Sequence, residues 1–180
     1  MKTETSDIRI YVACLAAYNN GKLHGEWIDA TKGSKAVKKA IAKMLKNSPE
    51  PGAEEYAIHD FEGFGDVKLS EYEDIDDVCE LADAIEEHGE LFAALYASLG
   101  GDDIGYAKKV MTDGYLGEHK SLEDYAYSTC EECYSDSLGN LPDFIKGWID
   151  WEGVGRDMEL SGDIFTIEHD GMTHVFDNHV

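Results

Sequence analysis

The stretch SEYEDIDDVCELADAIEEHGE (Ser70–Glu90) holds ten carboxylates and no lysine or arginine, yet its apolar residues fall where a packed helix needs them. Ile75, Val78, Leu81, Ala82 and Ile85 recur at three- and four-residue intervals, which puts them on one helical face. Asp76, Glu80, Asp83 and Glu87 follow a single stripe on the opposite face, and Gly89 ends the helix. The pattern predicts a folded surface carrying a row of anions with no cations of its own.

Upstream of this stretch the period is two. In IRIYVACL, Ile8, Ile10, Val12 and Cys14 alternate with Arg9, Tyr11 and Ala13, as in a strand with one buried face. NNGK (Asn19–Lys22) reads as a turn, LHGEWIDA as a second strand and YAIHDF as a third. Between the last two, Ser34 is placed to cap a helix running to Lys46. That helix turns Val37, Ala40, Ile41, Met44 and Leu45 inward and Lys35, Lys38, Lys39, Lys43 and Lys46 outward, and SPEPG (Ser48–Gly52) ends it. Residues 1–69 therefore make a mixed α+β unit.

Downstream, ELFAALYASLGG and DDIGYAKKVMTDG read as two further helices, so 70–113 forms an acidic helical unit. In 114–180, Ser121 and Asp124 resemble a capping box ahead of an inner stripe of Leu122, Tyr125, Ala126, Thr129, Cys130 and Cys133. Pro142 opens a helix containing FIKGWIDW. GDIFTIEH and MTHVFDN flank Asp170-Gly171, a strong short hairpin signal. The fold class is α+β: a mixed N-terminal unit, a helical central unit and a mixed C-terminal unit ending in a β-hairpin.

Charge limits the partners. The chain of 180 residues carries 15 Lys+Arg against 38 Asp+Glu, a formal −23 at pH 7. That balance opposes binding to nucleic acid or to an anionic membrane over most of the surface and favours a cationic partner. The acid is regional: Met1–Lys46 holds nine basic and four acidic residues, the remainder six and 34. Halophile-type solvation would cover the whole chain, so a regional excess fits a surface that faces something. No run approaches the roughly 18 apolar residues of a membrane span. MKTETSDIRIYV also lacks the basic start and apolar core of a leader, so a cytoplasmic location is expected.

Candidates for chemistry are weak. Cys130 and Cys133 form a lone CxxC with no second ligand pair of matching spacing, and their place on an apolar stripe predicts buried core cysteines. DFEGFGDVKLSE (Asp60–Glu71) approaches a calcium-loop pattern, but Phe64 stands where an oxygen ligand belongs and the preceding residues read as strand. His169, His174 and His179 read as exposed hairpin histidines beside aspartate. No phosphate loop, GxSxG elbow or HExxH is present. The expectation is a non-enzyme with no catalytic residue, metal or cofactor. The lysine face at 35–46 reads as a solvated helix face neutralised by the chain's own carboxylates.

Carboxylates three or four residues apart on a helix lie about 5–6 Å from one another, and such like-charge pairs destabilise by about 0.2–0.5 kcal/mol each. B-DNA presents one negative charge per about 1.7 Å of axis, and its binding proteins line a groove with Lys and Arg to match. A folded surface with rows of carboxylates can occupy such a groove.

RIYVACLAAYNNGKLHGEWIDA, PEPGAEEYAIHDFEGFG, LSEYEDIDDVCELADAIEEHGE and WIDWEGVGRDMELSGDIFTIE, in that order, resemble the ArdA antirestriction proteins over nearly the whole chain. The resemblance implies an elongated chain of three small domains that forms a homodimer mimicking bent B-form DNA. It implies that the protein occupies the DNA-binding groove of type I restriction-modification enzymes, formed by specificity and methylation subunits, and so protects incoming plasmid, transposon or phage DNA. Carried onto this sequence, the phosphate-like anions are Asp74, Asp76, Asp77, Glu80, Asp83, Glu86, Glu87 and Glu90, then Asp102, Asp103, Glu123, Asp124, Glu131, Glu132 and Asp136. Ile104, Tyr106 and Val110 are the expected dimer contacts, because their pattern leaves little for a monomer core. The alternative is an acidic interaction module for another basic DNA-binding protein, such as a nucleoid protein or a transcription factor.

Overall fold

The computed structural model describes residues 8–180; the opening MKTETSD, read above as no leader, lies outside them. Two small antiparallel sheets and a series of helices give the expected α+β class. The chain divides into two compact units, one running to Ile104 and the other starting at Gly105.

In the first unit the strands are β1 (Arg9–Cys14), β2 (Gly25–Asp29) and β3 (Tyr56–Glu62), ordered β2-β1-β3. β1 is central, and its alternation is the reason: Ile10 and Val12 are fully buried while Arg9 and Tyr11 stay at the surface. Beside β3 the register shifts between Tyr11 and Val12, which leaves His59 as the extra residue of a bulge. A short helix, α1 (Leu15–Asn19), turns the chain between β1 and the NNGK turn. The two-residue period of IRIYVACL predicts a strand followed by the NNGK turn with no helix between, because five residues are too few to show a helical period.

α2 (Ser34–Lys46) packs on β1 and β2 and buries Val37, Ile41 and Met44, while Ala40 and Leu45, also expected inward, are partly buried. Its cap differs from expectation. Gly33, at φ 78°, holds the N-cap position with no side-chain bond, and Ser34 is already helical. The Ser34 hydroxyl bonds instead to Asp76.

α3 (Ile75–His88) is the structural centre of the acidic stretch. Asp74 caps it by accepting a hydrogen bond from the Asp76 N–H at 2.7 Å. Seven of its 14 residues are buried, among them Ile75, Val78, Leu81 and Ile85, against α2, the 3-10 turn Ala30–Lys32 and α4 (Glu90–Ser98). Gly89, at φ 79°, ends α3 and starts α4 in a conformation that a side chain resists. Lys38 of α2 reaches Asp76 of α3 at 2.7 Å.

α5 (Ile104–Asp113), in the second unit from Gly105 on, leads into β4 (Tyr115–His119), which pairs with β6 (Met172–Asp177) in a sheet ordered β4-β6-β5, β5 being Ile164–His169. Asp170 (φ 50°) and Gly171 (φ 76°) form the two-residue hairpin loop that the sequence announced. β4 carries no strand pattern in the sequence. YLGEH has no alternation, and Gly117 sits at φ 123° beside a register shift, so pairing with β6 makes it a strand. α6 (Leu122–Cys133) and α9 (Trp151–Leu160) cross over this sheet, and Tyr125, Ile164 and Val175 form the core with Leu122 and Met158 against them. The expected helix after Pro142 is broken. α8 (Asp143–Lys146) is one turn, Gly147 follows, and neither α7 (Ser135–Gly139) nor α8 buries a residue.

At the helix crossing, a Cβ on Gly155 would meet the Leu122 carbonyl oxygen at 2.7 Å and its Cγ at 2.8 Å. Gly155→Val should therefore lower stability by about 2–3 kcal/mol through overpacking, measured by denaturant unfolding. The Asp76 carboxyl is held below the ordinary carboxylate range by hydrogen bonds from Lys38 and Ser34. A lowered folded value means the pair's contribution is present above the unfolded carboxylate pKa and lost as pH falls through the folded one. Carboxyl NMR titration should place Asp76 low in the unaltered protein and return it upward in Lys38→Gln.

Candidate interaction surface

All fifteen candidate carboxylates are exposed. On α3 the exposed strip is narrow, since apolar burial takes both flanks. Asp76, Glu80, Asp83 and Glu87 run along it, with Asp77 and Glu86 at its edges. At 1.5 Å rise per residue, those six charges span about 16 Å, or roughly one per 3.3 Å, close to the one per 3.4 Å along a single DNA strand. Glu90 opens α4, and Asp102 and Asp103 precede α5.

Their field is felt by a neighbour. The Tyr96 hydroxyl is pushed upward in pKa first by burial and then by Glu73, Asp102, Asp77 and Asp103.

In the second unit, Glu123 and Asp124 occupy the first turn of α6, where the helix dipole favours them. Ser121 accepts from the Asp124 N–H at 3.1 Å, and Asp124 in turn accepts from the Lys120 N–H at 3.3 Å, so the cap is displaced by one residue from a true capping box. Glu131 and Glu132 lie in the last turn of α6, where the dipole opposes them, and Asp136 lies in the first turn of α7.

Internal neutralisation is partial. Lys38 pairs with Asp76, and Glu80 and Asp103 have partners within the chain. The other twelve make no ion pair with lysine or arginine among the described residues; Glu87 and Asp124 stand 3.8 Å from His88 and His119. Glu131 accepts a hydrogen bond from Tyr127, which raises the phenol's pKa. Of the lysine face, Lys38 is the member drawn into an ion pair with the acidic stripe; Lys35, Lys39, Lys43 and Lys46 are exposed and make no ion pair among the described residues.

Several readings need correction. Val110 is fully buried, as is Ala107. Of the three expected dimer contacts, Val110 has no exposed surface in this chain, Tyr106 is 39% exposed and Ile104 is partly buried. Cys133 is exposed and Cys130 only partly buried, whereas Cys14 and Cys79 are buried. Burial along the apolar stripe of α6 falls from Tyr125 and Ala126 through Thr129 and Cys130 to exposed Cys133. His174 is buried beside Tyr115, whose hydroxyl lies 2.9 Å from Nδ1, while His179 is exposed 3.3 Å from Asp163.

The calcium-like loop turns Phe64 into the core at 1% exposure, and Asp60 lies on β3 bonded to the Phe61 N–H. Among the described residues no group of three or more His, Cys, Asp or Glu is arranged around a metal position, and no helix is long and apolar enough to cross a membrane.

Sequence reasoning missed an open cleft lined by Leu15, Glu54, Glu55, Tyr56 and Tyr72. Tyr72 is 72% exposed there, and a large aromatic just before an acidic helix was the signal available.

Residues 10–173 of the 180 match the family model described as Antirestriction protein (ArdA). Comparison with curated proteins gives no match. With the match covering all but the two ends of a chain whose exposed surface is dominated by carboxylates, the protein belongs to the ArdA family and is an antirestriction protein.

Proposed function

We propose that this chain blocks restriction by occupying the DNA-binding groove of a type I restriction-modification enzyme, its carboxylates standing in for phosphates. The observation that carries the reading is the α3 strip: six exposed carboxylates at nearly the linear density of one DNA strand, on a helix fixed by burial of half its residues. Because the strip is already folded, little ordering entropy is lost when it meets a rigid cationic groove. Glu90, Asp102 and Asp103 extend the anionic surface in the first unit, and Glu123, Asp124, Glu131, Glu132 and Asp136 supply it in the second. The action is occupancy of the specificity and methylation subunits rather than catalysis. It requires no cofactor, and it takes place in the cytoplasm, where incoming mobile DNA is attacked. The reading includes a homodimer with Ile104 and Tyr106 near its contact, and a division into domains 1–69, 70–113 and 114–180.

Distributed charge implies graded loss. The combined substitution Asp83→Asn, Glu86→Gln, Glu87→Gln removes three exposed contacts worth about 0.2–1 kcal/mol each, so the concentration for half-inhibition of DNA cleavage should rise roughly tenfold. Inhibition should be relieved by added duplex competitor and should weaken as salt is raised from 50 to 200 mM, the arithmetic of exposed charge contacts. Complete loss from any one of the three substitutions, or inhibition indifferent to DNA concentration, would overturn occupancy of the groove. Capture of nucleoid proteins instead of restriction subunits would favour an acidic module with another target.

A further inference from the structure

Two cysteines escape the core. Cys130 and Cys133 lie three residues apart on the last turn of α6, both as free thiols, with Cys133 exposed and Cys130 partly so. We propose that they form an oxidisable dithiol that exchanges with low-molecular-weight disulfides such as oxidised glutathione, and that closing it displaces Glu131 and Glu132, which lie between them. The effect on Glu131 and Glu132 as target contacts rests on the groove-occupancy reading; the dithiol itself does not.

The geometry favours this pair over the other thiols. Cys14 is fully buried with its Sγ 3.3 Å from the Ser48 hydroxyl, and Cys79 is buried on α3, where burial pushes its thiol up to about 11. Neither presents a sulfur to a dissolved disulfide. At the end of the α6 stripe that begins with Leu122, Tyr125 and Ala126, Cys133 is the more open and attacks first. Its thiolate bonds to one glutathione sulfur and expels the other half as a thiolate. The Cys130 thiolate then attacks the Cys133 sulfur and expels the second glutathione thiolate. Two protein thiols are oxidised, one small disulfide is reduced to two thiols, and the two protons released by the cysteines are taken up by the leaving thiolates.

Residues three apart on an intact helix have Cβ atoms about 5–6 Å apart. A disulfide brings them to about 3.5–4.5 Å. The last turn of α6 has room to adjust because it ends there: Tyr134 leaves helical geometry at φ −126°, held by its N–H to the Cys130 carbonyl at 2.9 Å. Tightening the Cys130–Cys133 turn reorients the two intervening residues. Both are exposed glutamates, and Glu131 exchanges its bond with Tyr127 as it moves.

The test uses the full chain incubated with oxidised glutathione. Intact mass should fall by two hydrogens, and a digest should locate the link between Cys130 and Cys133, with Cys14 and Cys79 alkylated only after denaturation. Cys130→Ser, which removes the resolving thiol, should instead retain a glutathione adduct on Cys133. Persistent adducts on the unaltered protein without an internal link, or a link involving Cys14 or Cys79, would overturn the dithiol. Oxidised protein should inhibit restriction roughly two- to thirtyfold less well than reduced protein, the size of two surface charge contacts. A dithiol reductant should restore inhibition, and Cys130→Ser with Cys133→Ser should be indifferent to both treatments. Equal inhibition by linked and reduced forms would overturn the displacement of Glu131 and Glu132. Failure of the reduced form to inhibit at all would count against groove occupancy, with the mass result still deciding the dithiol.

Discussion

Burial on one side of α3 holds together what the other side would drive apart. The pairs Asp76–Glu80, Asp77–Glu80, Glu80–Asp83, Asp83–Glu86 and Asp83–Glu87 are three or four residues apart, and each costs about 0.2–0.5 kcal/mol, so the strip loses on the order of 1–2.5 kcal/mol to repulsion. Ile75, Val78, Leu81 and Ile85, all at 3% exposure or less, contribute about 1.5–3 kcal/mol each by leaving water, an upper bound near 6–12 kcal/mol. The apolar face therefore wins by a wide margin. The Asp74 cap and the favourable placing of Asp76 and Asp77 in the first turn add to it, while Glu86 and Glu87 near the far end oppose the dipole. A surface that is electrostatically costly is kept in one conformation by a core that does not depend on it, and anions can be exchanged without unfolding the helix.

How much of this was legible follows from where the information lies. α3, α2, β1 and the Asp170-Gly171 hairpin were readable because each is long enough, or carries distinctive enough turn residues, for local pattern to decide it. β4 was not, because YLGEH becomes a strand only by pairing with β6, an event 50 and more residues away in the chain. The break after Lys146 was also hidden: Phe144, Ile145 and Trp148 look like a buried face, but all three are exposed, at 74, 40 and 87%. Periodicity reports which residues share a face, not whether anything covers it. The same gap misplaced Cys133, at the exposed end of a stripe that begins buried.

For the candidate surface, exposure of the carboxylates was legible because a helix that buries its apolar face must expose the other. Pairing was not. Lys38 and Asp76 lie 38 residues apart and meet only because α2 and α3 pack side by side. The expectation that the chain's own acid neutralises the lysine face holds at this pair and fails for Lys35, Lys39, Lys43 and Lys46, which make no ion pair among the described residues.

If the chain occupies a cationic groove as proposed, Lys35, Lys39, Lys43 and Lys46 bear on how the first unit would meet it. Two like charges 4 Å apart in water repel by about 1 kcal/mol, and at physiological salt the force fades over a Debye length of about 8 Å. Four lysines brought within that range of groove cations would cancel several of the exposed carboxylate contacts, each worth no more than about 1 kcal/mol. Because α2 and α3 are packed together and joined at Lys38–Asp76, one cannot be turned without the other. Facing α3 into the groove with α2 outside it keeps the attraction and avoids the repulsion; the reverse forfeits both. On the proposed groove occupancy, the boundary between the two charged faces would select a docking direction that uniform acidity leaves open, and the lysine face of α2 would have that physical role.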